Sequence, residues 1–445
     1  MSHILHRSLG GAPAVAASGR GAFLFTEDGR EVLDAAGGAA VSCLGHAHPA
    51  VVAAVQAQVA TLDYAHTGSF SSRPAEELAD LLVGHAPGGL THAVFVSSGS
   101  EACEAALKIA RQYFLEIGQP ERGCFIARRQ SYHGNTLGAL AAGGNMARRE
   151  PFAPLLADCF NHVTPAFAYR YARPGESEAD FVARLVAELE AAFQRLGPGR
   201  VAGFLAETVG GATPGAVPPP AGYFRAVREV CDRHGALLIL DEVMCGMGRT
   251  GTTHAWEQEG VSPDIEIVAK GLGGGVQPIA AVLVGGRIVD AIRTGSGVLR
   301  HGHTYMGHPV ACAAALAVQR TIAAEGLLDC VRARGAQLRA ALVERFGTHP
   351  HVGDIRGRGL FLALELVADR ASRAPFAPGL GLAGRVKRAA LERGLACYPS
   401  SGTIDGVRGD HVLLAPPYIV TPEQIETIVT RLSAALTAAF ASLPS

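Results

Sequence analysis

Lys270 closes an apolar run, Ile265–Ala269, and is followed by Gly271-Leu272-Gly273-Gly274-Gly275. A lysine amine at a strand end can condense with a carbonyl as a Schiff base, and the glycines let backbone approach a ligand closely. Taken alone, Lys270 reads better as a surface lysine at a loop start. Asp241 ends a second apolar run, in Leu-Leu-Ile-Leu-Asp-Glu-Val. A carboxylate at the C-terminal edge of a buried strand is where an open α/β sheet holds its ligand. A helix N-cap or a solvated strand end accounts for a lone aspartate as well. The third candidate, Ser97-Ser98-Gly99-Ser100-Glu101, joins a strand to a helix. Amides at a helix N-terminus and the helix dipole favour a phosphate, although a plain helix cap uses the same residue types.

The three candidates together ask for one ligand chemistry, that of pyridoxal phosphate (PLP). PLP needs a lysine for the Schiff base and an acid that keeps its pyridine nitrogen protonated, because the charged ring is the electron sink. It also needs a phosphate cradle. Lys270 and Asp241 are therefore the catalytic candidates, and the segment Ser97-Ser98-Gly99-Ser100-Glu101 the phosphate candidate.

In its motifs the chain resembles the class III aminotransferases, the fold-type-I PLP family that includes ω-amino acid and amine transaminases. The motifs are Ser-Gly-Ser-Glu-Ala (98–102), Tyr-His-Gly (132–134), Leu-Asp-Glu-Val (240–243), Gly-Met-Gly-Arg-Thr-Gly (246–251), Lys-Gly-Leu-Gly-Gly-Gly (270–275) and Thr-Tyr-Met-Gly-His-Pro (304–309). Each is weak alone; their order and spacing together are specific, and they run nearly end to end. The resemblance implies that Gly99 and Ser100 hold the cofactor phosphate, that Tyr132 stacks over the pyridine ring and that Val243 packs beneath it. It implies that Glu207 orients the ring region near Asp241, that Thr304 reaches the phosphate bound in the other subunit, and that Arg408 receives a substrate carboxylate. It further implies a homodimer with shared active sites, or a tetramer built from such dimers.

Some residues depart from the family pattern. Met244, Cys245 and Met247 stand where relatives often carry Gln, Thr and Phe, Thr208 stands where Pro is usual, and no Pro follows Arg408. Ala212 stands where an acidic gate pairs with the carboxylate-binding arginine in many relatives that handle both an ω-amino acid and glutamate. These departures leave the cofactor chemistry intact and bear on substrate choice. The expected reaction moves an amino group from a terminal amine or ω-amino acid to a small 2-oxo acid such as pyruvate, with Lys270 as the base that shifts the proton. Other class III reactions on the same site, 2-oxoglutarate-dependent transfer or aminomutase, racemase and decarboxylase chemistry, remain alternatives. Phe70 and Trp256 are candidate pocket walls or ordinary core.

Three rivals are weaker. Gly246-x-Gly248-x-x-Gly251 matches a dinucleotide fingerprint, but Asp241-Glu242 intervenes after the strand and Thr252–Glu259 lacks an apolar helix stripe. His301, His303 and His308 have no acidic or cysteine partner nearby in sequence, so no metal site is expected. A non-catalytic binding protein would not need Lys270 and Asp241.

Elements must hold these residues in place. Apolar runs at Ala93–Val96, Cys124–Ala127, Val201–Ala206, Ala236–Leu240, Ile265–Ala269 and Ala280–Val284 read as strands. Helical patterns separate several of them, at Glu101–Phe114, Pro174–Gly199 and Tyr223–His234, the last stopped by Gly235. Continuous apolar strands between helices predict an α/β fold with a mostly parallel, seven-stranded-type sheet covered on both faces. Beyond residue 325 the texture changes to a smaller α+β domain, with strands at Ile355–Leu366, Leu395–Tyr398 and Val412–Ala415 and helices at Ala383–Arg393 and Pro422–Phe440. A strand-turn-strand pattern around Asp28-Gly29 assigns the first 60 residues to the same unit. The expected division is a large PLP-binding domain at 61–325 and a small domain made of 1–60 and 326–445.

Composition sets outer bounds. A length of 445 residues is enough for two cores, and 39 basic against 40 acidic residues gives a net charge of −1. No basic excess suggests a nucleic-acid partner. No apolar run is long enough for a membrane span or a secretory leader. Nine cysteines, with no Cys-x-x-Cys pair, read as free thiols of a cytoplasmic protein. The expected partners are a small-molecule amine donor and an oxo-acid acceptor.

Overall fold

The computed structural model describes residues 2–10 and 12–444. Three short strands open the chain: β1 (Ala16–Arg20), β2 (Phe23–Thr26) and β3 (Glu31–Asp34). The turn between β2 and β3 sets Gly29 at φ +82°, the left-handed region that a side chain disfavours, as the Asp-Gly pair predicts. Seven strands then build the central sheet: β4 (Leu90–Val96), β5 (Cys124–Arg128), β6 (Phe160–Val163), β7 (Val201–Glu207), β8 (Leu237–Asp241), β9 (Ile265–Val268) and β10 (Ala280–Gly285). Their order across the sheet is β4-β10-β9-β8-β7-β5-β6. Strands β5 to β9 pair in parallel, and β10 runs antiparallel to both β9 and β4.

Every residue of β7, β8, β9 and β10 is buried, which is why, apart from Glu266 within β9 and the acids ending β7 and β8, their sequences are apolar runs instead of alternating ones. Successive residues feed opposite faces: Leu238 joins a core with Phe181, Phe204 and Phe224, and Leu237 joins one with Ile109, Phe114 and Val282. The edge strand β6 escapes the sequence reading, because Asn161 and His162 interrupt its apolar residues. The helix expected over Pro174–Gly199 spans Glu178–Leu196 and is capped by the Ser177 side chain. Gly235, at φ +62°, stops the helix Tyr223–His234.

The C-terminal part carries β11 (Val352–Arg358), β12 (Phe361–Leu366), β13 (Leu395–Ala396), β14 (Tyr398–Ser401) and β15 (Asp410–Leu414). A four-stranded sheet runs β11-β12-β15-β14, while β13 lies parallel to β3 at the edge of the N-terminal sheet. The run Ile355–Leu366, read as one strand, is therefore a hairpin reversed at Gly359, whose φ is +55°. A Cβ there would come within 2.7 Å of the Thr250 carbonyl carbon, so the turn also seats against the large sheet's loop. Leu395–Tyr398 likewise divides between two sheets. Only the second turn lies within a continuous apolar run; the first falls in Arg356-Gly357-Arg358-Gly359. Leu33, Leu44, Leu338, Leu362, Leu414 and Leu432 share one core, joining the two ends of the chain.

The glycines of the dinucleotide-like run have a packing role. A Cβ on Gly248 would strike Leu328 and Tyr418, and one on Gly251 would strike Arg332. Between them, buried Arg249 donates to the carbonyls of Leu360 and Pro416, its guanidinium lying 4.6 Å from the Tyr418 ring centroid. The loop after Asp241 is thereby fastened to the C-terminal part of the chain. Among the described residues no single helix is long and apolar enough to cross a membrane.

Candidate active site

A cavity of about 350 Å³ opens at the C-terminal ends of the parallel strands. This is where helices and strands of an open α/β sheet leave room for a ligand. Ser98, Gly99, Ser100, Tyr132, Glu207, Asp241, Val243 and Lys270 all line it. Residues as distant in sequence as Ser98 and Lys270 meet because their strands, β4 and β9, both flank β10.

The helix Gly99–Glu116 starts at the cavity. Ser98 caps it by accepting from the Glu101 amide at 3.2 Å, and the Glu101 carboxylate accepts from the Ser97 amide at 2.8 Å. Glu101 is thus spent on the helix start, and the amides of Gly99 and Ser100, which open the helix, have no intrahelical partner. A side chain on Gly99 would crowd Val243, its Cβ lying 3.0 Å from Val243 Cγ1. Gly134, at φ +137°, brings its backbone against Ser100, and a Cβ would meet Ser100 Oγ at 2.7 Å.

Asp241 and Glu207 are paired in register on β8 and β7 and are almost wholly buried. Asp241 Oδ1 accepts from the Val243 amide at 2.9 Å, and Oδ2 lies 2.8 Å from His133 Nδ1. Glu207 accepts from the amides of Tyr132 (3.2 Å) and Gly211 (2.7 Å). Burial pushes the Glu207 carboxyl up, with Asp241 adding to the rise and His133 and Arg128 opposing it. Lys270 follows β9 with φ +45°, an unusual backbone for a lysine. Burial lowers its amine below the ordinary lysine range, while Asp241 and Glu207 hold it up in part.

His133 was quoted in a motif but given no role by the sequence. It is fully buried, contacts Asp241 and leaves its Nε2 without a partner. Only its adjacency to Tyr132 hinted at it. Met244, Cys245 and Ala212, flagged as departures, line the cavity. Thr208 instead donates its hydroxyl to Glu242, at 2.7 Å.

Several candidates lie elsewhere. Arg408 does not line the cavity; its side chain is 59% exposed and ion-paired with Asp405 at 2.6 Å. Thr304 is exposed, its carbonyl accepting from the Tyr64 hydroxyl at 3.0 Å. Phe70 is 68% exposed and lines no part of this chain's cavity. Trp256 is core: its indole N–H donates to buried Glu266, away from the cavity. His301 and His303 sit with ring centroids 6.5 Å apart, and His308 packs with Tyr64 and Tyr305.

These residues fit PLP. The helix start suits its phosphate, Tyr132 and Val243 both border the space for a flat ring, Asp241 is a carboxylate anchored by two contacts, and the Lys270 amine borders the same cavity.

Comparison with known proteins gives the same picture. The family model "Aminotransferase class-III" matches residues 6–436. An uncharacterized aminotransferase of Schizosaccharomyces pombe is 46% identical over 443 residues, covering 100% of this chain and 96% of that protein. The diaminobutyrate–2-oxoglutarate transaminase of Halomonas elongata is 34% identical, covering 97% of this chain and 92% of that protein. An amine transaminase from an uncultivated Pseudomonas species, solved in its PLP-bound form, superposes with a TM-score of 0.91 at 36% identity, covering 100% of this chain and 99% of that one.

Proposed function

Because the chain belongs to the class III aminotransferases, enzymes that work on PLP, we propose that it moves an amino group from a terminal amine or ω-amino acid to a small 2-oxo acid such as pyruvate. One observation carries this choice. Val41, Val209, Ala212 and Met244 form an apolar part of the cavity wall, and among the described residues no arginine lines it. An apolar wall suits an amine side chain or a methyl group, and a second buried carboxylate would lack a partner there. Arg408, turned out to Asp405, leaves that wall unchanged.

When bound, PLP supplies an aldehyde and a protonated ring that draws electrons from the substrate carbon. The chain supplies the rest. Asp241, held by His133 and the Val243 amide, would keep the proton on the ring nitrogen. Gly99 and Ser100 would hold the phosphate and Tyr132 and Val243 would border the ring, while Glu207 fixes the Tyr132 and Gly211 amides beside that space. Lys270 Nζ moves the proton at the substrate carbon, and its lowered pKa gives it a neutral fraction for that task. The reading includes a homodimer in which Thr304 faces the partner's phosphate. Its support is that Thr304 is exposed beside exposed Tyr305.

A second reading, with 2-oxoglutarate as acceptor, has one observation of its own. The Arg148 guanidinium lies 4.7 Å from the Tyr132 ring centroid, so a cation stands at the cavity's edge. Single-turnover reaction of amine-loaded enzyme with pyruvate and with 2-oxoglutarate separates the two. Faster turnover with pyruvate is expected. A clear preference for 2-oxoglutarate, lost in Arg148→Gln, would establish the second reading instead.

A further inference from the structure

Thr208 and Glu242 each follow a cavity residue in the chain, Glu207 and Asp241, and neither lines the cavity. Strand alternation turns them away from it. There they meet His254, Trp256 and Glu266. Glu242 Oε1 accepts from the Thr208 hydroxyl at 2.7 Å and the Trp256 amide at 2.8 Å, and Oε2 accepts from the Ala255 amide at 2.6 Å. Glu266 Oε1 lies 2.8 Å from His254 Nδ1, and Oε2 accepts from the Trp256 indole at 3.1 Å. The His254 and Trp256 rings stack at 5.1 Å. Exposure is 0% for Glu242 and Glu266 and 5% for His254.

Candidate ligand atoms of Glu242, His254 and Glu266 lie within 4.8 Å of one another, the spacing of a metal site. Yet all four carboxylate oxygens are already engaged by amide, hydroxyl, indole or imidazole groups, so the cluster is complete as a hydrogen-bond network.

We propose that Glu242, His254 and Glu266, with Thr208 and Trp256, form a positioning network that locks the strand ends bearing Asp241 and Lys270 into one register for the cofactor. The proposal rests on Asp241 and Lys270 being the cofactor contacts. Glu242 is the residue after Asp241. Glu266 lies on β9, four residues before Lys270, and β8 and β9 are paired at Asp241 and Ile267. A shift of the His254–Glu266 pair is therefore carried along β9 to Lys270, and a shift of Glu242 to Asp241.

The charged groups around the imidazole are Glu242, Glu257 and Glu266, with His85 bordering the same outer cavity of about 410 Å³. Burial alone would strip the imidazole's proton, but Glu266, aided by Glu242 and Glu257, keeps it to about 9. At neutral pH the imidazolium is thus paired with Glu266, while Glu242, pushed up to about 8 by burial and by Glu266, stands beside them largely protonated. Removing one member strands a buried charge, whereas replacing a whole pair with apolar side chains need not destabilise.

That asymmetry supplies the test. Trp256 is the only tryptophan in the chain, so its emission reads the network directly, without turnover. The variants are His254→Gln, Glu266→Gln and the double His254→Leu/Glu266→Leu, each prepared with bound PLP and melted to confirm folding. The expected result is altered emission in all three. The pH midpoint of the visible absorbance of the lysine-bound cofactor should move by about half a unit or more, and kcat should fall by about tenfold with donor KM little changed. The double variant should recover stability but neither the midpoint nor kcat. If the double variant restores both to wild type, or the folded variants change emission alone, the network is structural and the proposal fails. Where a single variant does not fold, the double decides. Lys270→Ala serves as the control: visible absorbance surviving in it would instead refute the assignment on which the proposal rests.

Discussion

Replacing Asp241 with asparagine removes one negative charge and changes almost no volume. The structure says what else changes. Oδ1 keeps its bond from the Val243 amide, and the new amide nitrogen takes the place of Oδ2, 2.8 Å from His133 Nδ1. Two donors would face each other there if the Nδ1 proton stayed. His133 Nε2 is buried without a partner, so the ring can carry its proton on that side and present Nδ1 as an acceptor. The bond survives, reduced from charge-assisted to neutral, which costs about 1 kcal/mol. In a chain of this length that lowers Tm by only about 1–2 °C. Chemistry loses far more. A unit charge about 4 Å from the ring nitrogen at an effective dielectric near 20 is worth about 4 kcal/mol, or about a thousandfold in rate. The assay is kcat for amine transfer on PLP-saturated enzyme, with melting of the apo-protein in parallel. A kcat within about tenfold of wild type would refute Asp241 as the ring's charge partner. A loss of more than about 5 °C would refute the tautomer argument.

Other consequences are as direct. Lys270→Ala should abolish transfer and the visible absorbance of lysine-bound cofactor while leaving phosphate-anchored binding, measurable by titrating the apo-protein with PLP. Gly134→Ala places a methyl 2.7 Å from Ser100 Oγ and 2.8 Å from Ser100 Cα, so PLP affinity should fall by about tenfold or more in the same titration. Arg356 donates to the carbonyls of Gly215 (2.7 Å) and Pro214 (2.5 Å) and pairs with Glu365 (2.6 Å). Because Glu365 keeps Arg170 as a partner, Arg356→Leu should cost only about 1.5–3 kcal/mol in urea unfolding, and it should raise donor KM, because the loop it grips carries Ala212. His254 is raised from 6.5 to about 9 in the folded state, so its contribution to stability is complete below about pH 6.5 and disappears as pH rises through about 9. Urea midpoints measured across that range should decline in the wild type and decline less in His254→Gln.

What the residue order determined by itself was everything expressed locally. The apolar runs ending at Asp241 and before Lys270, the serine-glycine start of the helix Gly99–Glu116, the Asp28-Gly29 turn and the Gly235 stop all form where propensity and periodicity place them. A strand buried on both faces is mostly apolar unless a buried partner answers its polar residue, as His254 and Trp256 answer Glu266, so a polar residue at a strand end marks the sheet's edge, where a ligand fits. Tertiary structure decided what no local pattern encodes. His133 joins Asp241 across 108 residues because β5 and β8 both border β7. The hairpin at Gly359 pairs the polar strand β11 with the apolar strand β12, a pairing set across the fold by contacts such as Arg356 with Glu365. Trp256 lies with Glu266 instead of along the substrate wall, drawn there by a buried acid that needs a donor. Arg408 turns to Asp405, three residues away, because a solvated ion pair costs less than holding an unpaired guanidinium against an apolar cavity. Side-chain direction in such cases is set by which partner is within reach, and reach is a property of the assembled fold.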